Sequence, residues 1–244
     1  MSLERGTARA FGGYIRHHLE RVEVANEETL DRVAEEMFQV VSNDGMILLG
    51  GTGHSIAMVL EGFYRAGGLA CVRPLYHPSL LPLHGGQAST LFEHTSGVAE
   101  LVVDRAVPHP SDLSFIFSNS GVNVVPVELA EQLQKRGTPV VAVVSLTHLR
   151  AAPKRAVHKL DEVADHVLDT MVPYGDSVYP ADGATTAGLS SITCIYLWNL
   201  LLVRLADIAH AAGTELPIWT SSNVEGGAER NAELFARYRG VAEL

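Results

Sequence analysis

Two glutamates and one histidine stand where this chain could move a proton. Glu61 follows Ser55 by six residues, and from Leu60 to Phe63 its neighbours are apolar or glycine. Burial of that kind is how a carboxylate is tuned to act as a general base. Against that use, Arg65 lies four residues on, the spacing of an ordinary helix-surface ion pair. Glu93 precedes His94 on a second helical stretch, one turn before Gly97, and is the other candidate base. The competing reading is a solvated carboxylate. His77, His84 and His94 cluster in sequence, but their spacing matches no closed zinc pattern, so no metal site is expected. His84, followed by Gly85-Gly86, is the imidazole assigned to acid–base work. His17, His18, His109 and His158 read as surface residues.

These groups need something to hold a substrate, and two turns are suited to it. Met46-Ile-Leu-Leu-Gly-Gly-Thr-Gly-His-Ser55 reads as a buried strand, a glycine turn and a helix start. Its glycines let backbone approach a ligand, and Thr52, His54 and Ser55 bring side-chain donors to a helix N-terminus, where an anion is favoured. Ser118-Asn-Ser-Gly-Val-Asn123 likewise ends an apolar strand, Asp112 to Phe117, and opens a helix. Neither turn contains Lys or Arg. Hydroxyls, amides and backbone N–H groups are what remains to hold a phosphate. Ser and Asn also favour turns and caps for structural reasons alone. Two such turns at matching strand ends point to a ligand.

The elements that must position these residues follow from periodicity. Phe11 to Val41 shows two helical stripes that meet near Asn26, a candidate N-cap. Strands are expected at Met46–Leu49, Leu69–Leu75, Asp112–Phe117, Pro139–Ser145 and His166–Leu168. Helices are expected at Ser55–Ala66, Ala88–Ala99, Val124–Arg136, about Thr185–Ala211 and Ala228–Tyr238. Apolar strands alternating with helices imply a three-layer αβα sandwich around a mainly parallel five-stranded sheet. The division expected is one domain over 1–244: a helical arm (1–45), an α/β core (46–170), and a long helix with its tail (171–244). The helix is apolar on nearly all sides from Ile192 to Leu205, so it must be buried, and a second subunit is expected to cover one face. Asp176 and the stretch Thr220–Asn223 are further polar candidates in irregular segments, with Asn223 as a substrate contact.

Composition narrows the partners. A net charge of −10 argues against nucleic acid, which needs a basic face. The run Ile192–Val203 is interrupted by Asn199 and falls short of the ~20 apolar residues of a membrane span. Residues 1–16 contain no apolar secretion signal, and Cys71 and Cys194 read as buried thiols. A cytoplasmic location is expected. Position 56 is Ile, so the first turn is no dinucleotide fingerprint, and no Walker lysine follows it. No cofactor is expected.

The two turns resemble the Gly-x-Gly-x-Ser and Ser-x-Ser-Gly-x-[Asn/Thr] loops of the SIS, or sugar isomerase, domain. His54-Ser55, Glu61, Phe63-Tyr-Arg-Ala-Gly-Gly68 and Ser222-Asn-Val-Glu-Gly-Gly227 are similar to the poorly characterised bacterial SIS proteins near phosphoheptose isomerase. The resemblance implies that Thr52, Gly53 and Ser55 line a sugar phosphate, and that Ser118, Asn119, Ser120 and Asn123 hold its phosphate. It implies a dimer or tetramer with sites near the subunit interface. Phosphoheptose isomerases resemble one another in a histidine early in the long helix; here Gly188-Leu-Ser-Ser-Ile-Thr193 has none. The implied activity is aldose–ketose isomerisation, with Glu61 or Glu93 as base and His84 opening the ring. A lyase or etherase uses the same proton abstraction. A phosphosugar sensor is the reading from another class, although residues 1–45 show no helix-turn-helix signature.

Overall fold

The computed structural model describes residues 3–238. Helix α1 (Phe11–Ser42) is one continuous element of 32 residues, not two helices meeting at Asn26. Asn26 is no cap. It is buried, and its Nδ2 donates to the carbonyls of Val22 and Asp169 while its Oδ1 accepts from the Asp169 N–H at 2.7 Å. A side chain spent on a strand end leaves the helix ladder intact. His18, expected at the surface, is also buried on α1, with Nε2 3.1 Å from the Thr193 hydroxyl, and burial pushes its imidazole below the ordinary value.

The chain then alternates: β1 (Ile47–Gly51), α2 (Ile56–Gly62), β2 (Val72–Leu75), α3 (Gly86–Glu93), α4 (Val98–Ala106) and β3 (Leu113–Phe117). It continues with α5 (Val124–Lys135), β4 (Val140–Val144), α6 (Leu146–Ala151), α7 (Leu160–Val163) and β5 (His166–Asp169). The sheet runs β2-β1-β3-β4-β5, and every pairing is parallel. Side chains alternate between its faces, as the period of two requires. Ile47, Leu49, Phe115, Phe117, Val141 and Val143 join the layer of α1 and α2, whereas Leu48, Ile116, Ala142 and Val144 meet α4 and α5. Helices therefore cover both faces, which is why the strands read as unbroken apolar runs.

The single helix expected over Ala88–Ala99 is two. Helix α3 stops at Glu93, and α4 restarts after Gly97, whose left-handed backbone (φ 87°) is held by its N–H donating to the Glu128 carboxylate at 2.9 Å. The break leaves Glu93 at a helix end.

A hairpin, β6 (Ser177–Tyr179) against β7 (Thr186–Gly188), replaces the expected first turn of the long helix. Helix α8 (Ser190–Ala211) begins after it, capped from a distance by Asp176. That carboxylate accepts from the N–H groups of Leu189 (3.1 Å) and Ser190 (2.8 Å) and from the Ser190 hydroxyl (2.8 Å). Asp176 is thus spent on a helix start, where its charge also meets the positive dipole end. Asp176→Ala should lower the unfolding free energy by about 1–2 kcal/mol in urea denaturation. A loss below ~0.5 kcal/mol would mean the clasp contributes nothing.

Leu197, Trp198, Leu201 and Leu205 are buried on α8, and α1 packs along it. Much of the apolar surface of α8 is therefore covered within one chain, though Ile192 and Val203 stay exposed. Its length and composition would suit a membrane crossing, but in this fold it is a core helix. Cys71 and Cys194 are buried in the same layer, and burial pushes both thiols up to about 12. The terminal helix α9 (Gly227–Arg237) ends beside α1, with Arg237 paired to Asp44.

Candidate functional site

Strands β1 and β3 are parallel neighbours with Gly51 opposite Phe117, so Thr52 and Ser118 leave the sheet side by side. The chain turns from β1 toward β2 on one side and from β3 toward β4 on the other. Ligands of open α/β sheets bind at this switch in strand order, outside the carboxyl ends. Both turns singled out in the sequence therefore lie at one edge.

The first turn is tight. A Cβ on Gly51 would stand 2.9 Å from the Ser55 carbonyl oxygen, so no larger residue fits beneath the loop. Gly53 has φ +57° and open space around it, a conformation that favours glycine and leaves room above the backbone. His54 is exposed, and Ser55 ends the single turn of 3-10 helix that leads into α2.

The second turn is held from below. Ser118 is buried and its hydroxyl accepts from the Gly121 N–H at 3.2 Å, which makes it a brace for the loop. The Asn119 carbonyl accepts from Ser145 N–H at 3.0 Å, tying the loop to the end of β4. Asn123 precedes α5 but does not cap it with its side chain. Pro126 carries no N–H, so the N–H groups of Val124 and Val125, with the helix dipole, are what the start of α5 can offer an anion. Among the described residues, the hydroxyls of Ser55 and Ser120 have no protein partner.

Glu93 joins the two turns. Its Oε1 accepts from the Thr52 hydroxyl at 2.5 Å and from Asn123 Nδ2 at 2.8 Å. Both donors are neutral and each stands on a different loop. Thr52, Glu93 and Asn123 are therefore brought together, the reason Asn123 is not free to cap α5. Arg155 completes the group: its Nη1 lies 2.9 Å from His94 Nε2 and donates to Asn123 Oδ1 at 3.1 Å.

The other sequence candidates fall elsewhere. Helix α2 stops at Gly62, short of the expected Ala66, so Glu61 near its end is tied to Arg65 beyond it, and among the described residues it makes no hydrogen bond to either loop. His84 is exposed on a turn before α3 and is not bonded to Glu93; the imidazole linked to the cluster is His94. Asn223 is exposed in the tail after α8. That tail docks through Trp219 on Gly67 and Gly68, ahead of β2, at the opposite edge of the sheet. Within one chain, Asn223 is not at the loops.

Arg155 escaped the sequence reading because it lies 32 residues from Asn123. A signal existed: four of the chain's 18 Lys and Arg residues, Arg150, Lys154, Arg155 and Lys159, fall within one ten-residue stretch of an acidic protein. Past β4, His148 packs on Tyr174 with ring centroids 4.7 Å apart, and burial pushes its imidazole below the ordinary value. A cavity of about 430 Å³ between α2 and α4, lined by Val59, Phe63, Tyr76, Leu81, Val102 and Arg105 among others, is apolar and shares no residue with the Glu93 group. Among the described residues no three His, Cys, Asp or Glu side chains are grouped to hold a metal ion.

The family model described as the SIS domain matches residues 10–145, which include both loops, Glu61 and Glu93. The chain belongs to the SIS domain family. Among its relatives, the UPF0309 protein of Geobacillus kaustophilus is 30% identical over 231 residues, covering 92% of this chain and 91% of that one. A UPF0309 protein of Brucella anthropi is 34% identical over 214 residues, covering 87% and 88%. Among solved structures, the phosphoheptose isomerase of Neisseria gonorrhoeae superimposes with TM-score 0.57 at 19% identity, covering 82% of this chain and 97% of that one. The sugar isomerase domain of the RpiR transcription factor from Sphaerobacter thermophilus gives 0.51 at 18%, covering 99% and 100%. These two likenesses establish a shared SIS fold. Arg155 lies outside the segment matched by the family model.

Proposed function

We propose that this SIS protein binds a sugar phosphate and interconverts its aldose and ketose forms through an enediolate. The observation that carries this reading is Glu93, whose one carboxylate oxygen is bonded to both ligand loops. The phosphate is held at Ser118–Asn123 by the N-terminus of α5 and the Ser120 hydroxyl, with Thr52, Gly53 and Ser55 along the sugar. Held there, the sugar places its carbonyl end within reach of Glu93. The carboxylate removes the proton from the carbon beside the carbonyl. The charge passes to the carbonyl oxygen, and the proton returns to the neighbouring carbon. A second proton leaves the neighbouring hydroxyl, whose oxygen becomes the new carbonyl, and another is taken up by the old carbonyl oxygen. The net change is two proton transfers, so a base and an acid suffice. His94, next to Glu93, and His84, on the turn before α3, are the imidazoles that would open the ring. Glu61 is the second candidate base. A cytoplasmic homo-oligomer, dimer or tetramer, belongs to the same reading; it would cover apolar side chains such as Val24, Ile192 and Val203 on the two longest helices.

The test is a thermal-shift screen of hexose, hexosamine and heptose phosphates against their parent sugars, followed by an isomerisation assay of the best ligand. A ligand at ~100 times its dissociation constant adds about 2.7 kcal/mol of stability. Ser120→Ala should reduce that shift without changing the melting temperature of the protein alone. No shift with any phosphosugar would remove the reading. A shift without turnover would make the protein a sensor, for which the same loops suffice.

A further inference from the structure

Arg155 sits on a segment strapped across the phosphate loop. Lys154 is paired with Glu162 at 2.8 Å, and the Leu160 N–H donates to the Gly121 carbonyl at 2.9 Å. Lys159 donates to the carbonyls of Leu149 and Ala152, at the end of α6. Two of the segment's cations are thus spent on holding the strap in place. Arg155 is not: among the described residues it has no carboxylate partner, and its Nη1 meets only His94 Nε2 and Asn123 Oδ1, neither of which carries a negative charge. A guanidinium can only donate, so Nε2 is the acceptor in the first of these pairs.

Nη1 carries two hydrogens, and these two contacts use both. The Nε and Nη2 hydrogens remain, and they form the parallel fork that matches two oxygens of a phosphate. Asn123, which orients the guanidinium, is itself at the end of the phosphate loop and bonded to Glu93. We propose that Arg155 selects the ligand's charge: His94 and Asn123 hold its guanidinium so that the Nε–Nη2 edge grips the phosphate. This rests on the phosphosugar reading above. It adds that the site distinguishes a phosphorylated sugar from its parent through one arginine contributed by the strap, while hydroxyls and backbone supply the rest. Glu93 and Arg155, bridged by Asn123, would then position the reacting end and the charged end of one ligand.

The experiment compares wild type, Arg155→Gln, Arg155→Lys and Ser120→Ala by calorimetric titration. The titrants are the phosphosugar giving the largest thermal shift, its parent sugar, and inorganic phosphate. Arg155→Gln should weaken the phosphosugar by about ten- to a hundredfold, the loss of a charge-assisted hydrogen-bonded pair, and leave the parent sugar unchanged. Inorganic phosphate should weaken in parallel. Arg155→Lys should recover only part of the loss, because an ammonium keeps the charge without the fork. Arg155 is exposed, so the melting temperatures of the free variants should match wild type. If Arg155→Gln binds the phosphosugar like wild type while Ser120→Ala binds weakly, Arg155 has no part in selection and the phosphosugar reading stands. Full recovery in Arg155→Lys would overturn the fork. Absence of phosphosugar binding by wild type would overturn both.

Discussion

Glu93→Gln is expected to bind phosphosugar within a few-fold of wild type and to turn it over about 10²–10⁴ times more slowly. The split follows from what each oxygen does. Thr52 and Asn123 both donate to Oε1, and a glutamine retains an acceptor oxygen for them. The loops therefore keep their link and the ligand its seat. What is lost is the basicity needed to take a proton from carbon. A loss of turnover with intact binding is the signature of a group that acts in the transition state. If Glu93→Gln keeps turnover within twofold, Glu93 is a brace between loops and Glu61 becomes the base to test. The matching variant Glu61→Gln removes the charge from the pair with Arg65, which lies past the end of α2, a surface ion pair worth at most about 1 kcal/mol in stability. Read together, the two kinetic profiles decide which carboxylate moves the proton.

The largest expected loss of stability lies on the opposite side of the sheet. Trp198 is buried at the middle of α8, with its ring edge-on to Phe115 at a centroid distance of 5.4 Å. It also fills the space above Gly62, where a Cβ would meet its Cζ2 at 3.4 Å. Three elements, α2, α8 and β3, therefore share one side chain. Trp198→Ala should cost about 3–5 kcal/mol, because none of the three can move inward to close the cavity without disturbing the other two. In a chain of 244 residues this corresponds to a fall of roughly 6–20 °C in melting temperature. A loss under ~1 kcal/mol would show that α8 is not seated on the sheet as described.

The sheet and its turns could be read from the chain because each has a local signature. Met46 to Leu49 and Pro139 to Ser145 are apolar runs, and the glycines at 50, 51 and 53 mark where the first one ends. Asn26 shows the limit of that reading. Asparagine at a junction of two apolar stripes reads as a cap, and only its partner, the backbone of Asp169, 143 residues away, shows why the helix continues. The split between α3 and α4 has the same origin, since Gly97 is held by Glu128 across 31 residues. At the candidate site, Thr52 and Asn123 could be read as donors on two turns and Glu93 as a carboxylate on a helix. Their joining, and the arrival of Arg155 and His94, depend on contacts that no periodicity records. Of the histidines grouped between β2 and β3, the sequence offered no reason to prefer His94 over His84.

The position of the two loops on adjacent strands has a mechanical consequence. Parallel strands are spaced at about 4.8 Å by their hydrogen-bond ladder, so the distance between Thr52 and Ser118 cannot drift unless the sheet itself opens. On the proposed reading, this end of the sugar-phosphate site is a fixed jaw. The facing parts, α3 with Glu93 and the 153–159 strap with Arg155, stand outside the sheet, and Glu93 and Arg155 meet the loops through side-chain bonds. They form the adjustable jaw. Exchanging residues in α3 or the strap would re-gauge the opening for a longer or bulkier sugar, while the grip at the fixed side stayed as it is.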